Sequence, residues 1–253
     1  MEVAARGFPA AVEAYERSRP GYPAETIREL FARLGLRGPE PILELAAGTG
    51  KFTAALIGAG ASPVAVEPLA RFREPLRRKF PQVPLVAALA EALPFRTGRF
   101  DAVMVAQAFH WFDPEPALAE VHRVLRPGGA LALIWNVRDE SHPLHAEMGR
   151  LFEGVNPGVP GHRKGRWKAA LEAAPGFTPL SQIEGRFAQE HDVARIVDRA
   201  ASVSFVAALP EADRERLLAE LRRAAEADPD IRASGRVELP YRTDVYWVRT
   251  TPL

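Results

Sequence analysis

The segment Glu44-Leu-Ala-Ala-Gly-Thr-Gly-Lys-Phe-Thr53 carries the most specific chemistry in the chain. Small residues at 46, 47, 48 and 50 stand between an apolar run, Pro41 to Ala46, and a helical stretch that starts near Phe52. Such a loop lets a ligand approach the backbone closely. The helix that follows offers free N–H groups and the positive end of its dipole. Several ligand classes use this geometry, and spacing separates them. A phosphate-binding loop reads G-x-x-x-x-G-K-[ST], but here Leu45 stands at the first glycine and Phe52 at the hydroxyl residue. A dinucleotide fingerprint reads G-x-G-x-x-G; from Gly48 its third glycine is Thr53, and from Ala46 it is Lys51. A second acid, Glu67, ends the next apolar run. A carboxylate there can accept both hydroxyls of a ribose, one on each oxygen. An ordinary solvated glutamate is the alternative. Dehydrogenases also put an acid at this distance, so Glu67 points to a nucleoside without choosing the cofactor.

A third loop pattern, acidic-x-G-x-G-x-G, belongs to loops that bind S-adenosylmethionine. Glu44, Ala46, Gly48 and Gly50 match it, with alanine at the first glycine. Two other groupings call for chemistry of another kind. His142-Pro-Leu-His145 with Glu147 imitates a metal site, but the proline and the lack of cysteines and of a third nearby histidine favour a helix start. Arg71, Arg73, Arg77 and Arg78 share a helix with Phe72, Leu76 and Phe80. An RNA-binding face and a solvated helix face both fit them, and the second is the usual outcome.

The elements that must position these residues alternate. Short apolar runs at Pro41 to Ala46, Pro63 to Glu67, Val83 to Ala88, Phe100 to Gln107 and Ala130 to Trp135 read as strands. Helices are expected at Phe52 to Ile57, Leu69 to Phe80 and Pro116 to Leu125, with Pro127-Gly128-Gly129 as a turn. Strands that are apolar on both faces and separated by helices form a parallel sheet covered on both sides. Right-handed crossovers make it doubly wound, with ligands at the carboxyl ends of its strands. Ahead of this core, helices are expected around Ala10 to Arg17 and over Ala24 to Leu36. Beyond Asn136 the pattern loosens. Helices are read at Pro143 to Phe152, Gly165 to Ala174, Val193 to Leu209 and Glu211 to Ala227, a strand at Phe177 to Phe187, and a closing strand or hairpin at Arg236 to Arg249.

Composition narrows the setting. The 253 residues are 47% apolar and 26% charged, which suits a packed soluble chain and excludes a disordered one. Basic and acidic residues, 33 against 32, nearly cancel, so no strong field draws a polyanion. With no cysteine, disulfides, thiolate metal sites, Fe–S clusters and cysteine nucleophiles are excluded. No apolar run reaches the ~20 residues of a membrane span. The first twenty residues lack the apolar stretch of a secretory signal, so a cytoplasmic location is expected.

In this frame the chain resembles the class I S-adenosylmethionine-dependent methyltransferases, over Ile42 to Asn136. Five motifs stand in order: ILELAAGTG; VAVEP; ALAEALPF at 88–95; FDAVMVAQAFHWFD at 100–113; and EVHRVLRPGGALALIWN at 120–136. More narrowly it is similar to the methyltransferase-11-like group, trans-aconitate-methyltransferase-like proteins with His-Trp-Phe after the fourth strand included. Tyr15 with Arg19-Pro-Gly-Tyr-Pro23, and Tyr241-Arg-Thr-Asp-Val-Tyr246, also resemble that group. The resemblance implies an α/β, doubly wound, mostly parallel seven-stranded sheet, the Rossmann-like methyltransferase fold, with helical insertions in the C-terminal half. It implies a single domain over 1–253: an N-terminal helical lid at 1–40, a cofactor-binding core at 41–136, helical substrate-side insertions at 137–230 and a closing strand at 231–253.

Site roles follow by position. The backbone of Ala46, Ala47 and Gly48 lines the methionine part of the cofactor, and Glu44 supports the loop. Glu67 binds ribose, Pro68 or Leu69 packs on the adenine, and Ala90 and Glu91 flank its edge. Ala106 and Gln107 lie under the methionine moiety, and Tyr15 and Arg19 close over its carboxylate. Leu89 stands where the family often has Asp, which removes one hydrogen bond to the adenine amino group. The implied reaction is methyl transfer to a small molecule at oxygen, a carboxylate oxygen included, with no metal, membrane or nucleic-acid partner.

For an activated donor an enzyme mainly supplies alignment and a dry site. Aromatic faces attract a sulfonium by ~0.5–2 kcal/mol each. Phe109, Trp111 and Phe112 are placed to supply them, with core packing as the other reading of Phe109 in particular. His110 is the candidate general base, against a loop-bonding role. Trp111, Asn136 and Arg138 are the candidate acceptor contacts, Arg138 through a bidentate bond to an acid or else as a solvated cation. Two other classes stay open: a nicotinamide-dependent oxidoreductase, which the missing third glycine disfavours, and a non-catalytic S-adenosylmethionine-binding module.

Overall fold

A computed structural model of the chain describes residues 18–38, 40–155 and 165–252. The helix expected around Ala10 to Arg17 lies outside them. In chain order the elements are α1 (Ala24–Leu34), β1 (Ile42–Leu45), α2 (Lys51–Gly58), β2 (Val64–Val66), α3 (Ala70–Lys79), β3 (Leu85–Val86), β4 (Phe100–Ala106) and α4 (Pro114–Val124). There follow β5 (Leu125–Arg138), α5 (Pro143–Glu153), α6 (Arg166–Ala173), β6 (Ser181–His191), α7 (Val193–Ala201), α8 (Ser204–Ala207), α9 (Glu211–Ala227), α10 (Pro229–Ser234) and β7 (Val237–Arg249).

The seven strands form one sheet in the order β3-β2-β1-β4-β5-β7-β6. The pairs β2–β3, β1–β2, β1–β4 and β4–β5 are parallel. The chain therefore moves outward on one side of β1 and then returns to build on the other. That reversal between β1 and β4 is where doubly wound sheets open a crevice at the carboxyl ends of their strands. Every residue of β1 is buried, as expected for a central parallel strand with both faces covered.

Two compact units emerge from the chain. The larger comprises Gly21–Asn136, Pro160–Gly185 and Thr243–Leu253; the smaller comprises Met1–Pro20, Val137–Val159 and Arg186–Arg242. Each has its own core. In the larger, Ile27, Leu30 and Phe31 of α1 pack with Phe52 and Leu56 of α2 and with Ala102, Met104, Ala132 and Ile134. In the smaller, Leu144 and Met148 of α5 pack with Ile196, Leu217, Leu221, Ile231, Val237 and Tyr241.

Several sequence expectations change in detail. The Pro127-Gly128-Gly129 turn is instead a bulge inside one long strand. Between Phe100 and Ala102 of β4 the facing residues of β5 run from Leu125 to Ala130. Gly128 takes a φ of 74°, and a Cβ on Gly129 would sit 2.9 Å from the Arg126 carbonyl oxygen, so the surplus residues need glycine. The single helix expected over Val193 to Leu209 breaks at Ser202 and Val203. The Ser202 hydroxyl turns back to the Arg199 carbonyl at 2.8 Å, and Val203 is extended, with ψ of 129°. The strand expected from Phe177 begins at Ser181, with Phe177 making only an isolated bridge to Thr250. The chain end is one strand, β7, and no hairpin.

Candidate functional site

The loop after β1 is held from three sides. The Ala47 N–H donates to the Val66 carbonyl at 3.0 Å, and the Gly48 N–H donates to Glu67 Oε2 at 2.9 Å. Lys79 Nζ reaches the Thr49 carbonyl at 3.4 Å. Gly50 caps α2 at φ 88°, and a Cβ there would stand 2.9 Å from the Phe80 ring. Gly48 differs: it too has positive φ, but a Cβ would meet nothing within 4 Å. Its backbone therefore faces open space that a ligand can fill. Beside it the Thr49 hydroxyl oxygen is buried without a partner.

Two buried acids sit beneath and beside this loop. Glu44 accepts a 2.6 Å hydrogen bond from the Thr53 hydroxyl. Burial pushes its carboxyl up to about 8, against the Thr53 bond that lowers it, and nearby Glu67 adds to the rise. Glu44 is thus a neutral acid at pH 7, which suits a support and not an ion-pairing group. Glu67 is only 3% exposed, so it is not the solvated glutamate of the alternative reading. Its Oε1 accepts the Leu69 N–H at 2.9 Å, while Oε2 holds Gly48. Burial raises its carboxyl, with the Leu69 and Gly48 N–H groups, Arg73 and Arg71 pulling it down. Each oxygen keeps a second lone pair for a hydroxyl donor. Arg73 clamps the corner by donating to the carbonyls of Glu67 at 2.9 Å and Pro68 at 2.5 Å.

The end of β4 completes the edge. Ala46 at φ 54° and Gln107 at φ 61° are the non-glycine residues with left-handed backbone among the described residues. They follow neighbouring strands, since Leu45 pairs with Val105. A non-glycine residue in this region costs ~1–3 kcal/mol and persists where surrounding bonds impose it. For Gln107 those bonds run from its N–H to the Ile134 carbonyl at 2.8 Å and from Nε2 to the Asn136 carbonyl at 3.3 Å. The Asn136 carboxamide donates to the Gly21 carbonyl at 2.8 Å and accepts from the Thr243 hydroxyl at 2.7 Å. Asn136 thus pins its strand end to two other segments of the larger unit.

Phe109, His110 and Trp111 form one 3-10 turn after β4. Phe109 is buried and packs edge-on with Phe112 at 5.5 Å, which favours its packing role. His110 and Trp111 are half-buried, their rings 5.0 Å apart. Across the site, Ala90 is buried and Leu89 is 44% exposed. Glu91 accepts the Asp113 N–H at 2.9 Å, which ties the 89–92 loop to the start of α4. Pro68 and Leu69 follow Glu67 directly, and Ala106 ends β4. These residues, the β1 loop, Glu67 and Gln107 all fall in the larger unit.

Arg19 and Arg138 fall in the smaller unit. Arg19 donates to Ser202, to its hydroxyl at 3.3 Å and its carbonyl at 3.2 Å. Arg138 lies 3.8 Å from Glu140 and over the Phe152 ring at 5.0 Å. Tyr15 lies outside the described residues. His142 caps α5, its Nδ1 accepting the Leu144 N–H at 3.2 Å, as the helix-start reading expects. Among the described residues no cluster of three metal-ligating side chains forms. No helix among them is long and apolar enough to cross a membrane. Sequence reasoning missed Thr53, Arg73 and Lys79. Arg73 and Lys79 lie on the helix read as a solvated basic face, and nothing local distinguishes them from its other cations.

A sheet that reverses at β1, a glycine bend open to the backbone and a buried acid directly after β2 define a nucleoside-cofactor enzyme. The sequence pattern of the family described as a methyltransferase domain matches residues 43–133. An uncharacterized methyltransferase of Mycobacterium tuberculosis is 35% identical over 93% of this chain and 92% of its own. One of Schizosaccharomyces pombe is 32% identical over 98% of both chains. A solved structure from Anaeromyxobacter dehalogenans, assigned as a type II methyltransferase, superposes with a TM-score of 0.63 at 26% identity, covering 93% of this chain and 99% of the other. The chain belongs to this methyltransferase family and is a class I, S-adenosylmethionine-dependent enzyme. The open backbone at Gly48, the orphaned Thr49 hydroxyl and the spare lone pairs of Glu67 fit that cofactor.

Proposed function

We propose that this enzyme, working as a single domain in the cytoplasm, methylates an oxygen of a small molecule, with a carboxylate oxygen as the leading acceptor. The observation that carries the cofactor side is Glu67, buried yet with acceptor capacity left, bonded to the loop that it faces. Glu67 binds the ribose diol, Pro68 and Leu69 pack on the adenine, and Ala90 and Glu91 line its edge. The exposed apolar Leu89 offers no polar partner to the base. The backbone of Ala46, Ala47 and Gly48 and the left-handed turn at Gln107 after Ala106 cradle the methionine part, with Glu44 as a neutral support.

When bound, S-adenosylmethionine supplies an activated methyl group, transferred in line as an oxygen–carbon bond forms and the carbon–sulfur bond breaks, its electron pair returning to sulfur. Trp111 supplies an apolar wall that excludes water. Asn136 fixes the strand end beside it. A carboxylate acceptor is already a nucleophile and needs no base; for a hydroxyl acceptor His110 takes the proton. Residues 137–230, Arg138 among them, set acceptor choice.

The test uses S-adenosylmethionine with a labelled methyl group and a panel of small carboxylates and alcohols. Label in a methyl ester supports the reading. Label only in ethers replaces the carboxylate by a hydroxyl. Tight cofactor binding with no transfer to any acceptor would make the chain a binding module.

A further inference from the structure

Asn136 joins three segments of the larger unit at the carboxyl edge of the sheet, and its bonds differ in exposure. Its Oδ1 accepts the Thr243 hydroxyl at 2.7 Å, and Thr243 is 0% exposed. Its Nδ2 donates to the Gly21 carbonyl at 2.8 Å, in exposed surroundings. Its main-chain carbonyl accepts Gln107 Nε2 at 3.3 Å. The Gly21 carbonyl can only accept, so the NH2 of the carboxamide must face it and Oδ1 must face Thr243. The Thr243 hydroxyl is therefore the donor. Hydroxyl, amide and carbonyl form one chain of bonds in which each strengthens the next.

The segment held by this chain of bonds crosses the site. Gly21 is tied to the end of β5. The next residue, Tyr22, packs edge-on against Phe52 at 4.9 Å, in the first turn of α2 just past the glycine bend. In the sheet, β4 stands between β1 and β5. Gly21 and Tyr22 thus pass over the carboxyl end of β4, where Gln107 holds its left-handed backbone. Pro20 and Pro23 flank them and have no N–H to donate. A Cβ on Gly21 would meet nothing within 4 Å, so no side chain is wedged against it. The two ends of the chain of bonds are unequal. The exposed Gly21 bond opens readily, because water replaces either partner. The buried Thr243 hydroxyl has no such substitute and keeps the Asn136 carboxamide aimed.

We propose that Thr243 is a positioning residue for cofactor exchange: by aiming the Asn136 carboxamide it latches the strap of Gly21 and Tyr22 shut over the crevice. S-adenosylmethionine enters and S-adenosylhomocysteine leaves when the latch opens. Where the cofactor sits is taken from the reading above, and the latch is added to it. A latch has a kinetic signature that a ligand contact lacks. Weakening a contact to the cofactor speeds dissociation and raises Kd with it. Weakening a latch raises the open fraction of free and bound enzyme alike. Association and dissociation then quicken together and Kd stays where it was.

The test uses the full chain and radiolabelled S-adenosylhomocysteine, with association and dissociation followed by rapid filtration. Thr243→Val keeps the shape and removes the hydroxyl; Thr243→Ser keeps the hydroxyl. Both rate constants should rise about fivefold in Thr243→Val, the loss of one neutral hydrogen bond, with Kd within about twofold of the wild type. Thr243→Ser should match the wild type. Unchanged rates in Thr243→Val, or a rise in dissociation alone, overturn the proposal. The chain has no cysteine, so Gly21→Cys supplies a single thiol whose fluorophore reports the strap directly. Its signal should change during cofactor exchange, in step with the label. A fluorophore that stays still overturns the proposal even if Thr243→Val fails to fold. Failure of S-adenosylhomocysteine to bind at all would sink the cofactor reading and the latch together, whereas normal binding with unaltered rates sinks the latch alone.

Discussion

The two buried polar centres of this enzyme have opposite electrostatics and opposite sequence visibility. In the larger unit two carboxyls are buried side by side, and burial pushes Glu44 up to about 8. In the smaller unit two imidazoles are buried among arginines, and burial first, then those cations, push His145 down to about 3 and His191 to about 4. These shifts keep Glu44 and both imidazoles neutral near pH 7, as the cost of an unpaired buried charge requires. The centres differ in which bonding positions they leave unfilled. The first leaves spare acceptors on Glu67 and open backbone at Gly48, which suit a hydroxylated nucleoside. The second leaves one nitrogen of each imidazole, His145 Nε2 and His191 Nδ1, without a hydrogen-bond partner.

The sharpest test of this division removes one core side chain from each unit. Leu56→Ala in the larger and Leu221→Ala in the smaller, both fully buried, should each destabilise the chain by ~2–5 kcal/mol. Titration calorimetry with S-adenosylhomocysteine, at a temperature where both variants stay folded, should show weakened binding only for Leu56→Ala. Equal weakening in both would erase the distinction.

The pH dependence of stability should show both centres, with opposite signs. Glu44 is raised above its unfolded value of 4.5, so its contribution is full below that pH and is lost as pH rises through about 8. His145 and His191 are lowered from 6.5, so theirs is full above that value and fades as pH falls through about 4 and then about 3. Thermal melts from pH 3 to 9, a range of about six units set by these values, should therefore fall at both ends. Glu44→Gln should flatten the alkaline side alone, and His191→Gln the acidic side alone. A variant that flattens the wrong limb would refute the assignment.

The smallest effect concerns strain. Ala46 holds φ 54°, and Ala46→Gly relieves it at the expense of a more flexible unfolded chain. A net gain of roughly 0.5–1 kcal/mol in denaturant midpoints is expected. A loss would mean that the Ala46 methyl packs usefully and that the left-handed backbone carries little strain.

These contrasts explain what could be read in advance. The cofactor side is built from consecutive residues: β1, its glycine bend, α2 and the acid after β2 stand within Ile42 to Leu69, where periodicity and loop composition are local signals. Strands β1, β2 and β4 fall within a residue or two of their expected limits, and α9 falls at Glu211–Ala227 as expected. The smaller unit's centre draws on His145, His191 and Tyr241, whose meeting depends on tertiary packing that no local window records. His145 invited a metal reading for the same reason: adjacency in sequence suggested a partnership with His142 and Glu147, while the fold turned its ring toward Tyr241. The breaks at Gly128 and Ser202 also escaped notice, because a bulge and a turn use the same glycines and a serine ends a helix only when its hydroxyl turns back.

The central claim is that Glu67, directly after β2 and bonded to the β1 loop, grips the cofactor's ribose. Calorimetry with S-adenosylhomocysteine on the wild type and on Glu67→Ala tests it most directly, with Glu67→Gln to separate charge from shape. At least a tenfold loss of affinity, about 1.4 kcal/mol, is expected for Glu67→Ala, with Glu67→Gln between it and the wild type. Wild-type affinity in a folded Glu67→Ala variant would contradict the account.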